Sequence, residues 1–331
     1  MNRRGWAVLG VASLFALVQK VEAIRSPSSV GVPGVLLDSP DKYSKVFAVS
    51  DAHGMYSNLV PLLQTGGIID SGHHWSAGKS LLIVIGDSID KGPDSVDIID
   101  LWIQLAREAE SSGGKVLHLL GNHEAEFLND SSHDKKAKEF LKELASKKIS
   151  PDEFSDPSKP RGQFMLSMPL AAVIGKWLFC HAGFLPAGQV SDLSKKASDL
   201  ISQKQYGDDL FIGSDSILES KAWWASGSDS RQQLEGRLSD NGLYGVVFGH
   251  QPSALNVKGA DAISDDGRLI KVDNGMAPQS GAHFGSLLVF TQPQELGQAT
   301  APHVFTIHSG DPSQQPLSHE VAGPPETDGN D

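Results

Sequence analysis

With one cysteine, Cys180, in 331 residues, the chain cannot close an internal disulfide, so packing and hydrogen bonds alone must hold the fold. Nor does it carry the positive charge that a phosphate backbone demands. Lys and Arg number 28 against 40 Asp and Glu, and the balance of −12 speaks against a nucleic-acid partner. Long hydrophobic runs are missing too: the apolar stretch from Gly5 to Val18 falls short of the about 20 residues that a bilayer-spanning helix needs. No internal repeat is visible, which removes solenoid architectures.

What is present starts at the ends. Asn2-Arg3-Arg4, the apolar run and Ala23 have the order of a charged n-region, an h-region and a cleavage site, so residues 1–23 read as a signal peptide. The expected location is secreted or within the secretory pathway, with no stable membrane association after cleavage. Asn129-Asp130-Ser131 is a glycosylation sequon. Residues 24–43 read as an N-terminal extension and 44–308 as one domain, with a lysine-rich helical insert at about 130–160. Residues 309–331, rich in Pro, Ser, Gln and Gly, read as a disordered tail that buries too little apolar surface to offset its ordering entropy. The hydrophobic fraction of 39% suffices for a core between those ends.

Within the domain, short β-branched runs recur at Val46 to Ser50, Leu81 to Ile85, Val116 to Leu120, Trp177 to Cys180, Tyr244 to Phe248, Leu269 to Val272 and Ser286 to Phe290. Continuous apolar runs of this length describe strands covered on both faces. Helical spacing of Ile99, Trp102, Ile103 and Ala106 predicts a helix from Pro93 to about Ser112, stopped by Gly113-Gly114. A second helix is expected over His133 to Lys148, its lysines forming a solvated face. Strands alternating with helices in the first half and strand-rich sequence in the second describe a layered α/β (α+β) domain with two sheets.

The places where these runs stop carry the chemistry. The first runs into Asp51-Ala52-His53-Gly54, the second into Gly86-Asp87-Ser88-Ile89-Asp90-Lys91, the third into Gly121-Asn122-His123-Glu124, and the others into His181-Ala182-Gly183 and Gly249-His250. Strand carboxyl ends are where ligands bind in open α/β sheets, so these side chains can converge. Carboxylates, an amide and neutral imidazoles are what a divalent ion that activates water requires, and an aspartate can bridge two such ions. Asp87 is the natural bridge. Asp51 and His53, two apart and so on one face of a regular strand, join it on the first ion, while Asn122, His181 and His250 complete the second. His123 and Asp90 remain as a proton donor and the carboxylate that orients it, which suits the protonation of a departing alkoxide or phenoxide. Glu124 reads as structural, Cys180 as a small buried hydrophobe, and His118, His283 and His303 as packed or hydrogen-bonded core residues.

In this order the motifs resemble those of the phosphoprotein phosphatase family of calcineurin-like metallophosphoesterases. Lys159-Pro160-Arg161-Gly162, Trp177 to Pro186 and Val272-Asp273-Asn274-Gly275-Met276 resemble its Shewanella-like branch. The resemblance spans Val46 to Phe290 and implies a metallophosphoesterase β-sandwich flanked by helices. It implies two divalent ions (Mn, Fe or Zn) at the strand ends and hydrolysis of phosphoserine, phosphothreonine or phosphotyrosine. A branch that cleaves dinucleoside polyphosphates shares the motifs, so a phosphorylated protein and a small phosphoester both stand as substrates. Two positions depart from the family. Lys91 stands where an arginine is usual, and Trp223-Trp224-Ala225-Ser226-Gly227 lacks the arginine expected after a tryptophan. Phosphate is then expected to be gripped by Lys91, Asn122 and Arg161, or Arg231, and a catalytically weak pseudophosphatase acting as a binding protein stays open.

Overall fold

The computed structural model describes residues 34–132, 137–273, 275–278 and 284–325. The expected signal peptide and His283 lie outside them, as do residues 133–136 at the start of the expected second helix. Among the described residues, no helix is long and apolar enough to cross a membrane.

Two sheets form the centre. One holds β2 (Val46–Val49), β3 (Leu81–Val84) and β4 (Lys115–His118) in parallel, and β2 also pairs antiparallel with β10 (Ser286–Phe290). The other is built around β6 (Trp177–Cys180), β7 (Gly245–Phe248) and β9 (Leu269–Lys271), also parallel, with β5 (Ala171–Ile174) beside β6. Strand alternation explains the layering. Val46, Ala48, Leu81 and Ile83 point into a core shared with Ala172, Ile174, Phe179, Val247 and Ile270 of the opposite sheet. Phe47, Val49, Leu82 and Val84 point outward, onto Leu59, Leu62 and Leu63 of α1 (Tyr56–Thr65) and Ile98, Leu101 and Trp102 of α2 (Ser95–Ser111). The second sheet is covered on its outer face in the same way by α6 (Val190–Ser202) and α7 (Asp229–Asp240). Both faces of each central strand are buried, which is why those strands read as unbroken apolar runs.

All seven expected strands are present, and the helix expected at Pro93 is α2. The insert holds α4 (Lys138–Lys147) and α5 (Pro160–Leu166), following the short α3 (Asn122–Asn129). Two boundaries need correction. The extension at 24–43 contributes β1 (Val35–Asp38), which pairs in parallel with β5 and so belongs to the sheet. The segment from Ser309 is ordered as far as Pro325: β12 (Asp311–Pro316) pairs with β11 (Val304–His308), and β13 (Ser318–His319) pairs with β8 (Ala262–Ile263). What orders this polar stretch is backbone pairing, the buried side chain of Leu317, and Glu320 bonded to Arg231 at 2.6 Å. None of these is visible in its composition. His118 is buried against Ser88 at 2.7 Å, as expected, whereas His303 is an exposed surface partner of Glu295.

Candidate metal centre

β2, β3 and β7 each hand the chain to a turn of left-handed backbone, whereas Asn122 after β4 opens α3 and His181 directly follows β6. Asp51, His53, Asp87, Asp90, Lys91 and His250 all adopt positive φ, between 43° and 68°, a conformation that non-glycine residues avoid. Strain of this kind, on the order of 1–3 kcal/mol per residue, persists where surrounding bonds over-determine it. Here they do: the Asp51 amide donates to the Gly86 carbonyl at 3.2 Å and the His53 amide to the Asp87 carbonyl at 2.9 Å. Asp51 and His53 therefore converge through a turn beyond β2 and not through strand alternation. Glycine is needed at two contacts. A Cβ on Gly121 would strike the Asp87 carboxylate, and one on Gly249 would strike Ser50 and Asp51.

The side chains meet around Asp87. Its Oδ2 lies 3.6 Å from His53 Nε2, 3.3 Å from His181 Nε2 and 3.9 Å from His123 Nε2. Two groups have their ligand atoms within 4.8 Å of one another, His53 with Asp87 and His123, and Asp87 with His181 and His250. Asp87 is common to both, the position of a bridging ligand. Asp51 Oδ1 is 3.7 Å from His53 Nε2, while its Oδ2 accepts from Ser50 Oγ and, at 3.0 Å, from the His250 amide. Asn122 Oδ1 lies 3.0 Å from His181 Nε2, and Asn122 Nδ2 is buried with no hydrogen-bond partner among the described residues. All six expected ligands are thus brought together and buried. Outer bonds aim the rings: His53 Nδ1 faces the Ile89 carbonyl at 3.2 Å and His181 Nδ1 the Ile85 carbonyl at 2.7 Å.

The electrostatics ask for cations. Burial and the nearby Asp87 push Asp51 up to about 6, against the opposing pull of His181. Burial would raise Asp87 as well, but the imidazoles of His181, His123 and His53 hold its carboxyl well below the usual range. His181 is driven to about 10, since Asp87 and Asp51 outweigh the burial that opposes its charge. A dry site that crowds carboxylates and draws protons onto an imidazole is one that divalent ions neutralise, and the mixed carboxylate, amide and imidazole donors suit first-row transition metals. The residues present fit two such ions.

His123, a member of the first of these groups, has its Nδ1 3.3 Å from Asp90 Oδ2. Burial is overcome by bonds from His123 and from the Phe140 and Glu139 amides, so Asp90 sits at about 2 and stays ionised. Lys91 lies near enough for its charge to depress the proton affinities of both His53 and Asp273. Glu124 holds the floor: its two oxygens accept from the amides of Asp87, Ser88, Ile89 and Gly121 at 2.8–3.2 Å.

Two assignments fail. Arg161 lies on α5, forked onto Asp100 at 2.7 and 2.8 Å and bonded to Glu153 at 2.8 Å, so its donors are spent on neighbouring carboxylates. Arg231 is buried and spent on Glu320 and the Trp224 carbonyl, anchoring the C-terminal segment. Both guanidinium groups are engaged by carboxylates that lie outside the ligand cluster. One residue was missed: Asp273, buried just beyond β9, with a carboxyl raised well above its usual value by burial and then by Asp51. It too follows an apolar run, and that signal could have found it. Trp223 and Trp224 are both core, Trp223 donating to the Ala182 carbonyl beside His181 at 2.8 Å.

A sequence model of the calcineurin-like phosphoesterase family matches residues 44–272, more than half of the chain. Shewanella-like protein phosphatase 2 of Arabidopsis thaliana is 34% identical over 84 residues, 25% of this chain and 22% of that protein. A symmetrical bis(5'-nucleosyl)-tetraphosphatase of Wigglesworthia glossinidia brevipalpis is 29% identical over 163 residues, 48% of this chain and 53% of that one. The chain thus spans about a quarter to a half of the length of these relatives. Among solved structures, the cold-active protein-tyrosine phosphatase of a psychrophilic Shewanella sp. superposes with a TM-score of 0.67 over 86% of this chain and 82% of that one. Identity there is 20%, so the likeness is one of fold.

Proposed function

The chain belongs to the calcineurin-like phosphoesterases, and from that premise we propose that it is a hydrolase of phosphate monoesters on proteins, of the Shewanella-like branch that its motifs and partial relatives resemble. The observation that carries the reading is Asp87, shared between two ligand groups, with His123 of the first group paired to Asp90. Asp51 and His53 would join Asp87 on one ion, and Asn122, His181 and His250 on the other, with manganese, iron or zinc as the candidates. Such ions, when bound, supply Lewis acidity toward phosphoryl oxygens and lower the pKa of water.

The chain's own groups supply the rest. Asp90 accepts from the Nδ1–H of His123, which fixes the ring and leaves Nε2–H as the proton for the departing serine, threonine or tyrosine oxygen. Lys91 offers a point charge to the phosphoryl group, a weaker grip than the bidentate fork of arginine. The test is phosphate release from phosphopeptides by the manganese-loaded full chain beside His123→Asn and Lys91→Arg. His123→Asn is expected to lower kcat by about 10²–10⁴, Lys91→Arg to lower KM several-fold, and Arg161→Ala to leave both within about twofold. Phosphopeptides left intact while dinucleoside tetraphosphate is cleaved would replace the substrate class, a second reading favoured by the match to the tetraphosphatase over 48% of the chain. Metal binding without any turnover would leave a phosphate-binding protein.

Export is part of the same proposal: Arg3-Arg4, the apolar run and Ala23 support a cleaved leader, and mass spectrometry of the mature amino terminus tests it.

A further inference from the structure

Helix α2 begins at Ser95, directly after the turn that carries Asp90 and Lys91, and its cap residue Asp94 makes no side-chain capping bond. Helix α4 of the insert begins at Lys138, and its cap residue is Ala137, which has no side-chain acceptor. Each helix is capped by the other's neighbourhood. Asp90 Oδ1 accepts from the Glu139 and Phe140 amides at 2.7 and 3.1 Å, capping α4. Glu143, on the second turn of α4, accepts from the Ser95 and Val96 amides at 2.8 and 3.1 Å, capping α2. The loop closes through Ser95, whose Oγ accepts from the Asp90 amide at 3.0 Å. Lys147 steadies the arrangement, 2.8 Å from Glu143 and 2.9 Å from Asp97. Glu143 is a buried carboxylate, its side chain only 3% exposed, placed where first-turn amides otherwise go unbonded.

We propose that Glu143 is a positioning residue for phosphoester hydrolysis: through this reciprocal cap the insert holds the strained Asp90–Lys91 turn so that Asp90 Oδ2 faces His123. The inference rests on the reading of His123 as proton donor. With one Asp90 oxygen committed to α4, only the other is free to orient the imidazole. Releasing α4 lets the carboxylate turn away, and the insert is thereby tied to proton transfer although it contributes no ligand.

Glu143→Gln in the full, manganese-loaded chain tests this, because it keeps one acceptor oxygen and the side chain's volume; Lys147→Met is a milder second variant. Two esters are compared, para-nitrophenyl phosphate, whose leaving group needs little protonation, and phosphoserine peptide, whose leaving group needs it. The expected result is a kcat loss of roughly tenfold on phosphoserine and under about twofold on the nitrophenyl ester, a fraction of the about 10²–10⁴ that a proton donor contributes. Lys147→Met should lose less in the same direction. Independently of turnover, hydrogen exchange should quicken in Glu143→Gln at the Glu139 and Phe140 amides, which the Glu143 carboxylate does not touch, and in Asp90→Asn at the Ser95 and Val96 amides, which the Glu143 carboxylate holds. Equal losses on both esters, or exchange that quickens only at the mutated residue's own partners, would overturn the proposal. If His123→Asn itself fails to separate the two esters, the donor reading fails, and the proposal with it, while the exchange pattern still reports whether the caps are coupled.

Discussion

Glu124→Gln is the substitution for which the structure gives the largest effect from the smallest change. The glutamate is fully buried, and each oxygen accepts two amides: Oε1 those of Ser88 and Ile89 at 2.8 and 3.2 Å, Oε2 those of Asp87 and Gly121 at 2.9 and 3.1 Å. A glutamine has the same shape but only one acceptor oxygen. Whichever way the amide turns, two bonds to a charged acceptor are lost, and an NH₂ group is set against two N–H donors. At about 1.5–3 kcal/mol for each bond to a charged group, the loss is roughly 3–6 kcal/mol, set against some relief from burying a charge beside Asp87. Against a total stability of about 5–15 kcal/mol this is severe, and at roughly 2–4 °C for each kcal/mol it lowers Tm by roughly 6–24 °C. Calorimetry of the metal-free protein reads the packing effect alone, and the same scan with manganese reads how well the floor still presents Asp87 and Asn122. A metal-free Tm within about 2 °C of the unchanged protein would refute the claim that this carboxylate holds the turn after β3 against the start of α3.

Stability should also carry the signature of Asp38. Burial is outweighed by bonds from Lys42, Tyr43 and the Ser39 amide and by the charge of Lys115, so its carboxyl sits at about 2. A depressed folded-state pKa stabilises above the unfolded value near 4 and is lost as pH falls from about 4 to about 2; after allowance for solvent screening the share is about 1 kcal/mol. Asp38→Asn should be less stable than the parent at neutral pH, with the gap closing over that window in urea titrations, and a gap constant down to pH 2 would be contrary. Ending the chain at His308 should cost roughly 3 kcal/mol or more, because Leu317 leaves the core and Arg231 is left buried without Glu320. An unchanged urea midpoint would show that β12 and β13 are dispensable.

The site was legible in the sequence because β2, β3, β6 and β7 are buried on both faces. Each therefore shows as an apolar run with an abrupt polar end, and the ligands sit at those ends. Strands at the margins left no such mark: β1 and β12 are covered on fewer sides, and β5 begins with two alanines that fit helix as well as strand. Helix α1 was hidden by Pro61 in its interior and a first turn without an acidic residue. Arg161 was misplaced because charge alone does not reveal the carboxylates of Asp100 and Glu153, which fold brings to it from sequence-distant and nearby positions. The mutual caps of α2 and α4 are equally invisible, since each joins a helix start to a side chain about 50 residues away.

Titration of manganese into the metal-free full chain by calorimetry, followed by para-nitrophenyl phosphate hydrolysis on the same samples, tests the shared aspartate most directly. The account predicts about two ions for each chain, fewer in Asp87→Asn, and hydrolysis lost with the bridge. An Asp87→Asn protein that binds both ions and keeps its rate would contradict it.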